Sequence, residues 1–588
     1  MCGVLLIYSK KKKLNKDICN ETLRELSNRG PDRTLSNFFL DNHLFIGNTI
    51  LNIVGPIKNS KNLYKSESNR YHVSFNGEIY DYKKIYKNKK FLFSSVNDTD
   101  FLANIHDFKN ELEITKLLDG MFAYCVFDEK NNNIFFASDV QGEKKLFYYN
   151  DDNYLICSSN ILAIKKFLIK KKLQIEINIS RFKDYFDTRH FIFSNETIYN
   201  KINYFDPGTL HSYSIRKDKI TKKKFDNPIN WINEKKYLRF NKDEKFTIKY
   251  FENLFQNNLK KMIPDIPFTS AMSGGIDSSL QLKIISNIDN KNIHSALFID
   301  NGIKDPFSKR IKKFNDFLDL RIEKVKCNSK KYFSNVAKCY KSLHCAFFSH
   351  DLPGRNIVYN YCKRNKFKVV FIGEGADEIF GGYKFYQNID WNNKMKKNPS
   401  PYSNFNNNFS KEKQKIKIKS DKLWLRAFKK YNKFLDFKES KMQATLFTDY
   451  FIQAIGNTNI ATDLISGENS VETRNVFITK DVIKNAINLP MKYKINLKNK
   501  NSFILKPLLK TLFSKYYSKN LIFKKQGFSG FPNESINFLQ VKDKKKLNLL
   551  ISKFKLKHEL NRASEWKLIN CFYFKKFCKM KLSLEKIF

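Results

Sequence analysis

No two of the ten cysteines in this 588-residue chain form a C-x-x-C pair, which excludes a zinc ribbon. Cys2, Cys19, Cys125, Cys157, Cys327, Cys339, Cys345, Cys362, Cys571 and Cys578 are scattered along its length, as reduced thiols in a cytoplasm-like compartment would be, with no disulfide framework. No uninterrupted apolar run approaches the ~18 residues of a membrane span. The apolar stretch at the start, Val4 to Tyr8, is too short for an export signal, and Lys10 to Lys13 follow it where such a signal carries charge in front. A G-x-x-x-x-G-K-S/T phosphate loop is absent, as are a helix-turn-helix, a zinc finger, an aromatic RNP-like motif and any internal repeat. Acidic residues are scarce against basic ones, 58 to 107, leaving a formal charge of +49.

That charge would suit nucleic acid or an anionic membrane. Its distribution argues otherwise. Lysines run from Lys10–Lys13 through Lys222–Lys224 to Lys544–Lys546 and travel with Asn, Ile, Phe and Tyr, residues that share A/T-rich codons. A solvated lysine-rich surface is therefore expected, with no nucleic-acid or membrane partner. A hydrophobic content of 42% indicates a folded chain, and the length favours more than one domain.

Up to about residue 215 the chain consists of short β-type runs such as "YHVSFNGEIYDY" and "MFAYCVFDEKNNNIFFASDV", broken by Asn, Asp and Gly turns. Stacked antiparallel sheets with a few helices follow from that texture. From about residue 240, helix-length amphipathic stretches alternate with short apolar strands, as in "IHSALFID" and "FKVVFIGEGADEIF", which points to an α/β domain with a parallel sheet. The expected domains are residues 2–215 and 240–588, with the charged segment 216–240 as their connection. The polar stretch "NNKMKKNPSPYSNFNNNFSKEKQKIKIKSDK" reads as a loop or lid.

The opening "MCG" leaves two readings. Cys2 is a buried cysteine at the start of a strand, or it becomes an N-terminal nucleophile once Met1 is removed. In the second case its own α-amine, titrating near ~7.7–8.0, takes the thiol proton. Other candidates follow. Arg29 and Gly30 precede Pro31 in a rigid turn. Asn76 and the amide of Gly77 are a donor pair suited to an oxyanion, and Glu78 and Asp98 are carboxylates suited to a ligand ammonium. Taken singly, each is weak.

Taken in order, "MCG", "RGPD", "FNGEIY", "DGMFAYCVFD" and "DPG" resemble the glutamine amidotransferase domain of the N-terminal-nucleophile type, over residues 2 to about 210. The resemblance implies an αββα fold. It casts Cys2 as the nucleophile that releases ammonia from glutamine, Asn76 and Gly77 as the oxyanion hole, and Glu78 and Asp98 as the glutamine-amine site. The sequence departs from the family at Ile50, where an arginine grips the glutamine carboxylate. Loss of such a bond weakens binding by roughly 1.5–3 kcal/mol, so weaker glutamine binding is expected. Ser138 and Asn160 replace the usual arginine and glutamate near the expected interdomain face.

The second half carries "SAMSGGIDSSLQLKI". Ser273, Gly274 and Gly275 follow an apolar approach, and Asp277, Ser278 and Ser279 open a helix. Glycines admit a phosphate close to the backbone, the helix start offers free amides, and the serines add hydroxyls. This reads as a pyrophosphate-binding loop for ATP, with Asp277 a Mg2+ ligand. About a hundred residues on, "VVFIGEGADEIFGGYKF" places Gly373, Glu374, Asp377 and Glu378 after a strand. There Glu374 and Asp377 suit nucleotide, a second Mg2+ or a substrate ammonium.

Together the two loops resemble the ATP-pyrophosphatase domain of the glutamine-hydrolysing asparagine synthetase family, with a helical C-terminal part. That resemblance implies a cytoplasmic ligase using glutamine, aspartate, ATP and Mg2+, and it leaves room for a homodimer. In the family, ATP adenylates the aspartate β-carboxylate and ammonia displaces AMP. Glu472, Arg474 and Phe477 match a further family stretch, although Val476 and Thr479 replace its proline and aspartate, and "FKKQGF" at 523–528 also fits. The family lysine that touches pyrophosphate falls on Ser502, with Lys498, Lys500 and Lys506 nearby. "SHDLPG" at 349–354 departs from the usual pattern. Two rivals stay open: a same-fold enzyme amidating another carboxylate, such as a sugar acid or modified amino acid, and a non-catalytic nucleic-acid-binding descendant.

Overall fold

The computed structural model describes residues 1–56, 61–88, 95–181, 195–300, 311–345, 349–389, 413–499 and 502–522, with positions 347, 391, 545, 549, 570, 573, 574 and 576. The first half is built on two six-stranded sheets. One runs Ile202–Tyr204 (β10), Phe147–Asn150 (β8), Tyr154–Ser158 (β9), Gly3–Ser9 (β1), Leu44–Ile50 (β3) and Arg33–Phe39 (β2). The other runs Lys219–Lys224 (β12), Thr209–Ser214 (β11), Asn133–Ser138 (β7), Gly120–Asp128 (β6), Tyr71–Ile79 (β5) and Tyr64–Lys65 (β4). Pairing is antiparallel throughout both sheets.

Helices Lys16–Arg24 and Ile161–Lys170 pack on the first sheet, and Asp98–Ile105 and Glu111–Leu117 on the second, giving the expected αββα layers. Because the central strands are covered on both faces, β6 is apolar along almost its whole length and not alternating, and eight of its nine residues are buried. The helices start where short polar side chains cap them. Asn15 accepts from the Ile18 amide, and Asn110 and Glu113 form a reciprocal capping box.

Segment 216–240 differs from its reading as an unpatterned connection. Its lysine run Lys219–Lys224 is edge strand β12, exposed except at the half-buried Ile220, where charge discourages further strand pairing. Asn233 then caps the helix Glu234–Lys242.

The second half contains a parallel sheet in the order Ile322–Lys326 (β15), Ile293–Asp300 (β14), Phe268–Ala271 (β13), Val369–Phe371 (β16) and Glu472–Arg474 (β17). Strand order reverses at β13, so its C-terminal end and that of β16 flank the crevice where open α/β sheets bind ligands. The polar stretch expected as a loop becomes helical from Lys413 in the helix Lys413–Tyr431, while 392–412 and 523–528 lie outside the described residues. Eight cysteines are free thiols, and Cys571 and Cys578 lie outside the described residues. No helix among the described residues is long and apolar enough to cross a membrane.

The halves meet through polar contacts made by the "RGPD" turn. Arg29 is fully buried. Its Nε donates to the Cys2 carbonyl at 3.0 Å, and its Nη2 donates to both carboxylate oxygens of Asp463, each at 3.1 Å, from the helix Asn459–Glu468 of the other half. Gly467 leaves the space: a Cβ there would lie 2.5 Å from Arg29 Nη1. Asn160, where the family carries glutamate, still spans the junction by donating to Glu468 Oε1 at 3.1 Å. Ser138 Oγ is buried without a partner among the described residues.

Removing one partner of a buried pair strands the other charge, at roughly 3–5 kcal/mol. Asp463→Ala is therefore expected to lower resistance to urea by that order and to separate the unfolding of the two halves, followed by tryptophan fluorescence and limited proteolysis.

Candidate functional site

Two clusters of polar side chains stand at strand ends, one in each half. In the first, the start of β1 in one sheet meets the end of β5 in the other. The Cys2 amide donates to Asn76 Oδ1 at 2.8 Å. Asn76 is completely buried, yet its Nδ2 has no hydrogen-bond partner among the described residues. A buried amide donor left unpaired beside a thiol is held ready for an acceptor that is not part of the chain. Gly77 follows with φ +142°, and a Cβ on it would lie 2.0 Å from the Met121 carbonyl, so only glycine fits.

Glu78 and Asp98 reach the same chamber. Asp98, at the start of its helix, accepts from the Ile79 amide at 3.1 Å. Burial pushes its carboxyl up to about 7, against the pull of that amide. Glu78 is bonded by Arg474, which comes from β17 of the other half. Burial, reinforced by Glu472 and Asp98, still pushes the Glu78 carboxyl up to about 8.

Arg474 also donates to Glu472 Oε1 at 3.0 Å and to the Met262 carbonyl. Met1 is in place, and its ammonium lies 3.5 Å from Glu472 Oε2. Burial opposes the charge on Glu472, but the Met1 ammonium, Arg474 and Lys144 together bring it down to about 2. The Cys2 thiol is raised by burial, partly offset by the Met1 ammonium and the Leu51 amide. That amide contact puts the end of β3 beside the thiol. There Ile50 contributes a buried apolar side chain and no cation.

The second cluster lies at the C-terminal ends of β13 and β16. The loop after β13 folds on itself: Ser273 N donates to Ser278 Oγ at 3.2 Å, and Gly275 N to Ser273 Oγ at 3.3 Å. The helix Ile276–Ile288 has no side-chain cap, so its first amides face outward. Ser279 Oγ is buried without a partner among the described residues. Gly373, after β16, lies so close that a Cβ on it would sit 2.9 Å from the Ser278 amide. An uncapped helix start, a glycine turn and an unpaired hydroxyl fit a phosphate chain.

The carboxylates at this end divide into two sets. Asp277 and Asp377 converge on Lys506, with Nζ–O distances of 2.5 Å each. Burial opposes the ammonium charge, but the two carboxylates prevail and raise its pKa. Glu374 turns away to Arg355 and accepts from Thr462 Oγ1 at 3.0 Å, while Arg355 also pairs with Asp351. Two hard oxygen donors from separate loops, next to a phosphate-shaped turn, fit Mg2+ held jointly with phosphates. They do not make a self-sufficient metal site: among the described residues no three His, Cys, Asp or Glu side chains are grouped for one.

The expected residues thus gather as Cys2, Asn76, Gly77, Glu78 and Asp98 in one half, and as Ser273–Ser279, Gly373, Glu374 and Asp377 in the other. Sequence reasoning gave no part to Arg355, Thr462 or Asp463. The signal for Arg355 was physical: a carboxylate as buried as Glu374 calls for a cation, and "SHDLPGR" places one on the facing helix Leu352–Arg364. Lys500 is outside the described residues.

Two family models match the chain. A glutamine amidotransferase domain model matches residues 1–226, and an asparagine synthase model matches residues 251–550. The chain is 26% identical over 412 residues to asparagine synthetase (glutamine-hydrolyzing) 3 of Bacillus subtilis, covering 66% of this chain and 64% of the relative. To asparagine synthetase (glutamine-hydrolyzing) 1 of the same organism it is 25% identical, covering 66% and 60%. To putative asparagine synthetase (glutamine-hydrolyzing) 2 of Methanocaldococcus jannaschii it is 26% identical, covering 66% and 76%. The matches thus span less than two thirds of the length of the two Bacillus relatives.

The elevated carboxyls give the first cluster a pH signature. A protonated carboxyl does not hold an ammonium, and Asp98 loses its proton near about 7. Affinity of this chamber for a ligand ammonium is therefore expected to rise as pH passes through about 7, and Asp98→Asn should remove that rise, read by equilibrium titration of an amino-acid ligand between pH ~6 and ~8.5.

Proposed function

The chain belongs to the asparagine synthase family, and on that premise we propose that it is an ATP-dependent carbon–nitrogen ligase taking its nitrogen from glutamine. The observation that carries this reading is strand β17. Its Arg474 side chain enters the Cys2 chamber to bond Glu78, while its backbone carbonyl accepts from Ile372 N at the start of the nucleotide-side loop, at 2.9 Å. One three-residue strand thus joins a thiol chamber to a phosphate crevice.

With Met1 removed, the Cys2 α-amine inherits the position beside Asn76 and takes the thiol proton. The thiolate attacks the glutamine side-chain carbonyl carbon, and the oxyanion is received by Asn76 Nδ2 and the Gly77 amide, a contribution of several kcal/mol. Asp98 holds the substrate ammonium, and Glu78, already bonded by Arg474, stands beside it. Collapse of the tetrahedral species expels ammonia, and water then frees the acyl group from Cys2.

An internal passage keeps ammonia from solvent. It is supported by the buried hydroxyls of Tyr80 and Tyr450, unpartnered among the described residues, with Glu143 near enough for its charge to act on both. In the second half the Ser273–Ser279 loop holds ATP. A carboxylate oxygen of the acceptor attacks the α-phosphorus, the bond to pyrophosphate breaks, and ammonia then displaces AMP from the acyl-adenylate. Mg2+, held by Asp277 and Asp377, would supply charge to offset that of the phosphates. Adenylation is needed because a carboxylate is a poor electrophile, and the closed site keeps water from the activated acid.

Aspartate is the acceptor favoured by the family. A second reading, another acid, rests on one observation: Glu374 is already occupied by Arg355 and Thr462, so it is not open to an acceptor ammonium.

AMP and pyrophosphate release from ATP–Mg2+, followed across aspartate and a panel of acids, tests both. Asparagine is expected from glutamine and from ammonium chloride with the wild type, and only from ammonium chloride with Cys2→Ala. AMP release with a different acid and none with aspartate would select the second reading. No AMP with any acid, from a folded chain, would overturn both.

A further inference from the structure

Lys506 stands where two chain segments meet. It follows the hairpin formed by Ile495–Asn499 (β18) and Ser502–Leu505 (β19), and it immediately precedes the helix Pro507–Phe513. Its backbone is left-handed, φ +53°, and its amide donates to the Lys494 carbonyl at 2.8 Å. A non-glycine residue in that conformation costs about 1 kcal/mol or more and persists only where its surroundings fix it. Here the effect is to aim the side chain inward: it is buried, and its Nζ lies 2.5 Å from Asp277 and 2.5 Å from Asp377.

The place is built for this ammonium. Gly382 lies against it, and a Cβ there would be 1.9 Å from Asp377 Oδ1 and 2.1 Å from Lys506 Cε. Any side chain at 382 would push the lysine and its carboxylate apart.

The oxygens that hold Lys506 are the ones that fit a divalent cation. An ammonium and Mg2+ cannot both occupy the gap between Asp277 and Asp377. The two carboxylates and the Lys506 ammonium sum to −1, and Lys510 lies near enough for the Lys506 charge to act on it, which leaves little to attract a metal. A phosphate chain on the adjacent loop changes that balance. It adds negative charge within reach of a flexible four-carbon stem, and the ammonium can exchange carboxylate oxygens for phosphate oxygens.

We propose that Lys506 is a resident counter-cation that closes the Asp277–Asp377 gap until ATP arrives, then moves onto the phosphates and admits the metal. This rests on the ATP-binding reading above. It makes nucleotide and metal entry interdependent, so neither carboxylate is left bare in the empty site.

The test is equilibrium binding of Mn2+ to the full chain, read from the free-ion electron paramagnetic resonance signal, with and without ATP. Wild type is expected to bind Mn2+ weakly alone and at least about tenfold more tightly with ATP. Lys506→Met should bind Mn2+ alone about tenfold or more tightly than wild type, as follows from removing a competing unit charge a few ångströms away, and should lose most of the dependence on ATP. Its affinity for metal-free ATP should fall, which a merely structural lysine would not produce.

Nucleotide-free wild type binding Mn2+ as tightly as the ATP-loaded protein would overturn the proposal, whatever the variant does. So would a folded Lys506→Met, or its polar counterpart Lys506→Gln, with unchanged Mn2+ affinity. These readouts do not depend on the acceptor acid, so a failure to form AMP would count against the proposed function and not against Lys506.

Discussion

The structure depends on a guanidinium taken out of water between two sites. Arg474 is completely buried and is shared by Glu78 of the amidotransferase half, Glu472 of its own strand, and the Met262 carbonyl. A buried cation is tolerable only with its donors satisfied, and here the partners come from both halves. Moving one half away would strand Arg474 and Glu78 together. The same logic governs Arg29 and Asp463, so these pairs add directional contacts to apolar packing that itself joins residues of both halves. Such pairs contribute modestly to net stability and strongly to geometry, because they are directional and intolerant of a gap.

That directionality reaches the second cluster. β17 is the outermost strand of the parallel sheet, paired with β16, whose following loop carries Gly373 and Glu374. Asn475, the next residue after Arg474, donates from Nδ2 to the Glu374 carbonyl at 2.7 Å. The residue that bonds Glu78 and the residue that bonds the Glu374 loop are thus neighbours in the chain. Both ends of the path are strand termini, where the backbone is fixed by the ladder and only side chains are free to respond.

Much of this was legible in the chain itself. Turn-broken β runs before residue 215 and strand–helix alternation after 240 reported the two architectures, because antiparallel and parallel sheets place different demands on patterning. Short motifs located Cys2, Asn76, Gly77, Ser273–Ser279 and Asp377, since glycines and small polar residues at strand ends serve close backbone approach. Partners remained hidden. Nothing near Glu78 in sequence announces Arg474, 396 residues away, or near Asp277 announces Lys506, 229 residues away. β12 was missed because an exposed edge strand of lysines looks like a linker: its pairing is with backbone, which composition does not report. Glu374 was assigned by its motif, but its pairing with Arg355 depends on how helix Leu352–Arg364 packs.

The net charge of +49 teaches the same lesson from the other side. Counting lysines says little about function, because among the described residues only Lys144, Lys145, Lys165, Lys441, Lys494 and Lys506 are buried. The informative ones are the few removed from water, and each has a specific neighbour. Lys144 sits at 1% exposure between Met1 and Asp463, and Lys506 at 6% between two carboxylates. Lys494, at 1%, bonds Gln443 at 2.7 Å, and its burial lowers its pKa to about 7. Two of these three flank the hairpin that delivers Lys506. In a chain whose composition supplies lysine everywhere, burial and not abundance distinguishes a working cation from a solubilising one, and burial is a property of the fold.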